Sequence, residues 1–339
     1  MSLTWAGVRI SALRIAPAFL LVTALASGCH VLGVGASGAA SGTGTITVAV
    51  APGPDSAPLS VGVEKGLFLQ RGLKVTVRDY QSLRAEVQAL AKGQAQVAVG
   101  DYTDYFYEQA TGHLKLRLIA DAYDATPDSV AILALPTSGI TKPQDLEGRG
   151  VATPPAQVLP HSPHSASVPF NIQTLAAQEV LQNDGVSPSS VTWTPLPGPN
   201  MLGALRTGQV KGILVSEPYI LQAEEQLGAT EVVDASSGVT SGIPMSGYFS
   251  LASYAHQNPS VVQAFQSALA QAQSDCAQRG LVQAVLPQLT GMSAENAALV
   301  TLGTYPTSLN VGQVQRVATL MYDSGMISSP INVSALVTG

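Results

Sequence analysis

The chain has 339 residues, a formal net charge of −6, 46% hydrophobic residues and only 11% charged ones. That length suffices for two lobes with separate cores, and the apolar share excludes a disordered chain. There is no Lys/Arg cluster and no interleaving of basic with aromatic residues, which excludes nucleic acid as a partner.

The amino end reads as a targeting segment. Arg9 and Arg14 form a positive stretch, and residues 15–26 are apolar but too few to span a bilayer as a permanent helix. The segment closes on Ala26-Ser27-Gly28-Cys29, which resembles a bacterial lipoprotein cleavage box with Cys29 as the lipidated cysteine. Ala26 stands where that pattern prefers leucine, found one place early as Leu25. A plain secretory signal with a coincidental cysteine is the alternative. Residues 30–44 carry no formal charge and mostly small side chains, the composition of a flexible tether. The only other cysteine, Cys276, reads as a small hydrophobe buried in a helix. With Cys29 lipidated, no disulfide forms.

Two series of alternating strands and helices follow. Residues 45–50 form a short strand, and a helix begins near Ala57, where Asp55 or Ser56 serves as N-cap and Pro58 fits the first turn. Leu59, Val63 and Leu67 fall on one face, Gly66 and Gly72 supply left-handed stops, and Val75 and Val77 alternate as in a strand. The loop 51–57 therefore lies over a helix N-terminus at a strand end, where open α/β sheets bind ligands. An amphipathic helix over 82–92 comes next, then a strand over 95–99, a helix over 101–112 capped by Asp101, and a strand over 116–119. Residues 129–135 are apolar and β-rich, a strand leaving the first lobe.

The second series starts at Ser138, with a short helix begun by Thr141 and Pro143 and a strand over 150–153. The Pro/Ser/His-rich loop 154–169 is long for a compact domain. Asn171 caps a helix reaching Asn183; strands at 191–196, 212–215 and 230–233 alternate with helices at 200–207 and 217–227. Residues 247–253 read as a strand returning to the first lobe, followed by helices at 259–279, 281–289, 294–302 and 311–322. Strands alternating with helices imply mostly parallel sheets with covered faces.

The motifs in order resemble a family. Val63-Glu64-Lys65-Gly66-Leu67-Phe68 with Gly72-Leu73, Leu90-Ala91-Lys92-Gly93-Gln94, Ser138-Gly139-Ile140 with Asp145-Leu146-Glu147-Gly148, and Glu217-Pro218-Tyr219 are similar to segments of periplasmic-type substrate-binding proteins of ABC importers. The group is the one spanning aliphatic-sulfonate, nitrate/taurine and thiamine-pyrimidine binders. Gln96 and Lys211 depart from it, standing where an acidic residue is usual. The resemblance implies an α/β, two-lobed periplasmic binding protein type II fold, with a ligand cleft between lobes joined by two crossover segments. The expected organisation is a signal peptide over 1–29, a tether over 30–44, lobe 1 over 45–135 with 246–339, and lobe 2 over 136–245. It also implies a monomer that hands a small solute to a permease and ATPase, is held to the outer face of the membrane through Cys29, and needs no cofactor.

On that fold the ligand lies at strand carboxyl ends and helix N-termini. The candidates are Gly53, Asp55 and Ser56 after the first strand, Asp101, Tyr102 and Thr103 after the third, and Tyr123 after the fourth. In lobe 2 they are Asn171, Asn200, Glu217 and Tyr219, with Tyr248 on the returning strand. Asp55, Asp101, Asn171 and Asn200 fit equally as N-caps, and Tyr102 as helix-face core. His161 and His164 suggest a metal pair but lack a third ligand in their loop, so no metal is expected. The candidate set holds carboxylates and tyrosines and no Lys or Arg, which favours an amine-bearing or pyrimidine-like solute over an oxyanion. A sulfonate, taurine or nitrate binder is the alternative within the family. An enzyme of pyrimidine biosynthesis is the alternative of another class, and it is disfavoured because the family's enzyme uses a cysteine cluster. A module feeding a sensor is a third reading.

Overall fold

The computed structural model describes residues 44–80, 82–155 and 171–338. The expected signal segment with Cys29, the tether up to residue 43, and His161 and His164 lie outside these residues.

The first series is β1 (Gly44–Val50), α1 (Ala57–Glu64), β2 (Leu73–Asp79), α2 (Leu83–Ala91), β3 (Val97–Asp101), α3 (Tyr102–Ala110) and β4 (Leu116–Asp124). The second is β5 (Val130–Ala134), β6 (Gly150–Thr153), α4 (Ile172–Asn183), β7 (Thr192–Pro195), α5 (Gly198–Thr207), β8 (Gly212–Ser216), α6 (Tyr219–Leu227) and β9 (Thr230–Asp234). The chain returns through β10 (Pro244–Leu251) and ends in α7 (Ala252–Gln257), α8 (Pro259–Asp275), α9 (Arg279–Thr290), α10 (Ala294–Leu299), α11 (Val311–Asp323) and α12 (Val333–Thr338).

Local chemistry accounts for most of these boundaries. Pro58 sits in the first turn of α1, where its missing N–H costs nothing. Gly66 and Gly72 take φ of 66° and 71°, a left-handed backbone only glycine adopts freely, and so turn the chain from α1 into β2. Asn171 caps α4 as expected, its side-chain oxygen accepting from Thr174 N at 2.8 Å. Ser56 does not cap α1; its hydroxyl donates back to Gly53 O at 2.8 Å. Leu59 and Leu67 are buried, but Val63 is 39% exposed, so the buried face of α1 turns away from it towards Ala57 and Val61.

The strands form two five-stranded sheets, ordered β2-β1-β3-β10-β4 and β7-β6-β8-β5-β9. β5 belongs to the second sheet, pairing with β8 and β9, whereas the expected first lobe ran on to residue 135. All five of its residues are buried, which suits a strand flanked on both edges and covered on both faces. Both sheets are mostly parallel, as expected, with one antiparallel strand each. β10 is antiparallel to β3 and β4, and β5 to β8 and β9. Each is the strand that arrives from the other sheet, and it enters from the opposite end. In the first sheet α8 covers one face, with Phe265 and Leu269 against Val48 and Tyr248. The other face carries Tyr105, Phe106 and Phe249, packed with Val314 and Val317 of α11.

Candidate functional site

A cavity of about 160 Å³ opens between the two sheets. From the first sheet come Pro54 and Asp55 after β1, Asp101 at the end of β3, Tyr123 near the end of β4, and Met245 and Ser246 on β10. From the second come Ser129 and Val130 at the start of β5, Ile172 and Gln173 in the first turn of α4, and Ser216 and Glu217 at the end of β8. The parallel strands offer their carboxyl ends and the two antiparallel strands their amino ends, so the cavity is the switch point of both sheets. It is smaller than the ~300–1,000 Å³ usual for drug-sized ligands, and so suits a compact solute.

Four of the residues expected from sequence line it: Asp55, Asp101, Tyr123 and Glu217. The other eight lie elsewhere. Gly53 and Ser56 form the turn behind Asp55. Tyr102 is fully buried in the core, its hydroxyl donating to Asp121 Oδ1 at 2.9 Å. Thr103 is buried beside it on α3. Asn171 is occupied as a cap, its amide also donating to Pro154 O at 2.9 Å. Asn200 is exposed inside α5, which begins two residues earlier than expected. Tyr219 packs its ring on Gly198, where a side chain would collide with it. Tyr248 is core, its ring 5.8 Å from that of Phe265.

Sequence reasoning missed Gln173, Ser216 and Ser246. Ser216 ends β8 at a strand carboxyl end, so the same rule that found Asp101 reaches it once the strand is extended by one residue. Ser246 was lost because β10 begins three residues earlier than its apolar run suggests.

The lining is rich in acceptors. Burial raises the Asp55 carboxyl to about 6, and the nearby Ser246 hydroxyl offsets part of that without a hydrogen bond of regular geometry. Burial, then repulsion from Asp55, raises Asp101 to about 7. Although it occupies the N-cap position of α3, Asp101 makes no side-chain cap hydrogen bond. Behind the pair, Glu86 is raised to about 8 by burial, with Asp55 and Asp101 adding repulsion, and its carboxylate accepts from Tyr105 OH. Glu217 is raised by burial, and partly restored by the amides of Leu221 and Thr301, which donate to its two oxygens at 3.2 and 3.1 Å. Gln173 donates to Ser216 Oγ at 3.2 Å, while its Oε1 and the Ser246 Oγ are buried without a partner. No Lys, Arg or His occurs among the described lining residues.

A segment far along the chain braces several of the lining residues. Residues 300–305 form a strap: Thr301 N reaches Glu217, Leu302 O accepts from Thr126 Oγ1 at 2.9 Å, and Gly303 N donates to Tyr123 OH. Thr304 pairs with Asp124 through both backbone hydrogen bonds, and Tyr305 OH donates to Pro54 O at 2.9 Å. The strap therefore touches residues of both sheets at the cavity. Among the described residues no helix is long and apolar enough to cross a membrane.

Comparison with known proteins places the fold. The NMT1/THI5 like family model matches residues 53–279, more than half of the chain. No curated protein sequence matches it. Among solved structures, the periplasmic aliphatic sulphonate binding protein SsuA from Escherichia coli superposes with a TM-score of 0.69 at 18% identity, covering 87% of this chain and 97% of that one. The periplasmic nitrate-binding protein NrtA from Synechocystis PCC 6803 does so with 0.64 at 14%, covering 86% and 84%. The desulfurization enzyme DSZB gives 0.66 at 13%, covering 87% and 96%. At these identities the likeness is one of fold, the two-lobed fold of periplasmic binding proteins, and that fold carries both binders and an enzyme.

Proposed function

The chain belongs to the NMT1/THI5-like family, and from that premise we propose that it is an extracytoplasmic solute-binding protein of an ABC importer. It captures a small amine-bearing solute, thiamine-pyrimidine-like or of related chemistry, and delivers it to a permease and its ATPase. In this reading the protein is a monomer tethered to the outer face of the membrane through a lipid on Cys29. The observation that carries the ligand class is the lining: Asp55, Asp101 and Glu217 face one cavity with no cationic side chain among the described lining residues. An amino group or ammonium donates to such acceptors, and Tyr123 offers an aromatic face.

The sulfonate and nitrate reading draws on what the similar structures bind. An oxyanion needs free amides or cations. Here Asp55 and Asp101 precede helices α1 and α3, and their carboxyls stand where those amides would be reached. An enzymatic reading needs a nucleophile with its base. Ser129 donates to Thr126 O at 2.7 Å, and no His or Cys stands among the described lining residues to activate it, Ser216 or Ser246.

Thermal unfolding of the purified protein tests the proposal. A ligand at a hundred times its Kd stabilises by about 2.7 kcal/mol, which raises Tm by several degrees. An aminopyrimidine is expected to do this, and taurine and nitrate are not. Stabilisation by taurine or nitrate with none by aminopyrimidines overturns the ligand class.

A further inference from the structure

The cavity wall formed by the first sheet sets two carboxyls against each other with nothing to neutralise them. Asp55 and Asp101 line the same space and repel one another. Every titratable group that acts on them is acidic or phenolic: Glu86 on α2, Asp104 on α3, Tyr123 on β4, Tyr248 on β10 and Tyr305 on the strap. Beside them the Ser246 hydroxyl, 1% exposed, has no hydrogen-bond partner. A partly buried like-charged pair sharing one cavity without a counter-ion resists ionising twice near neutral pH, and one carboxyl keeps a proton.

We infer that the Asp55–Asp101 pair is a charge filter, admitting an organic monocation in exchange for the proton the pair holds when the cavity is empty, and rejecting neutral isosteres. This rests on the solute-binding reading above and specifies the charge state of its ligand. In the exchange the carboxylic O–H bond breaks, its proton passes to bulk water, and the ligand N–H⁺ donates to the carboxylate so freed. Charge in the cavity is unchanged, and the ordering of Ser246 and Gln173 is completed by the ligand's remaining donors. A neutral solute leaves the proton in place and gains only the weaker, uncharged hydrogen bond. Exchange of one proton makes affinity rise about tenfold per pH unit while the pair is protonated and level off above neutral pH.

The test is calorimetry on the full chain in detergent with n-pentylammonium and n-pentylguanidinium as probes and 1-pentanol as the neutral isostere. A parallel pH-stat titration in unbuffered sodium chloride gives the protons released. The expected result is about one proton released per cation bound at pH 6, close to none at pH 9, and at least tenfold weaker binding of pentanol. Asp101→Asn is expected to cut the release at pH 6 to about half a proton, that held by Asp55 alone, and Asp104→Asn, one turn further from the cavity, to retain the full release. Cation binding at pH 6 without proton release overturns the filter and leaves the solute-binding reading standing. Failure of both cations to bind at pH 8 overturns the filter as well, and taurine binding in those same samples overturns the reading beneath it.

Discussion

Asp101 illustrates what a carboxyl costs the fold when no cation stands beside it. Its folded-state value is raised from 3.8 to about 7 by burial and by Asp55. A raised carboxyl contributes stability that is fully present below its unfolded value near 4 and is lost as pH rises through the folded value. The window is therefore pH 4 to 7. A shift of that size corresponds to at most about 4 kcal/mol, and sharing the proton with Asp55 leaves about half of it. Asp101→Asn is expected to stabilise the empty protein by about 2 kcal/mol at pH 8 and to leave it unchanged at pH 4, as urea titrations at the two pH values will read. A destabilised variant at pH 8 would mean that the carboxylate has a partner that holds it ionised. Cys276 offers a contrast at the same scale. It caps the end of α8 instead of lying within a helix, it is buried, and its thiol is pushed up to about 12 by burial, so it stays an inert hydrophobe.

At the scale of elements, the first βα units were legible because each carries its own punctuation: Pro58 and Gly72 around α1, Ser82 capping α2 through Ala85 N, Asn171 before α4. The cavity-lining residues Asp55, Asp101 and Glu217 followed from that punctuation, since they stand where a strand hands over to a helix. What was not legible is what depends on pairing across the chain. Nothing local in 130–134 says which sheet it joins, because an all-apolar strand satisfies either. The strap 300–305 has no period of two or 3.6, and the sequence reading ran a helix into it as far as Leu302. Its position is set by distant partners, Glu217, Thr126, Asp124 and Pro54. Gly303 is the residue that lets it dock. A Cβ there would collide with the Asp124 carbonyl oxygen and stand 2.7 Å from the Tyr123 ring. Neither obstacle is the loose end of a flexible side chain, so the strap must lift. Gly303→Ala is expected to cost about 2–3 kcal/mol by overpacking and lost hydrogen bonds, measured as a lower urea midpoint with an unchanged slope. A loss under about 0.5 kcal/mol would show that the strap does not hold the fold.

For the whole molecule, the two sheets are built to one plan. β6, β7, β8 and β9 occupy the places of β1, β2, β3 and β4, and β5 that of β10. The chain crosses between sheets twice, from Asp124 to Val130 and from Asp234 to Pro244, and both arriving strands present their first residues to the cavity. Crossing segments of this kind are where hinges between two lobes lie. The strap adds a third link, and its amides are spent on cavity residues: Thr301 N on Glu217 and Gly303 N on Tyr123. A solute that pins Glu217 and Tyr123 therefore restrains a segment it does not touch. Opening of the strap requires those two acceptors to let go, so a ligand that favours the closed arrangement adds to the opening free energy of both amides. Hydrogen exchange should show it. At saturating ligand the amides of Thr301 and Gly303 are expected to slow at least tenfold, about 1.4 kcal/mol, while the exposed end of α10 at Leu299 keeps its rate. Equal slowing along the whole chain would indicate global stabilisation alone. No slowing at Thr301 and Gly303, with the ligand shown to be bound, would remove the strap from the closure.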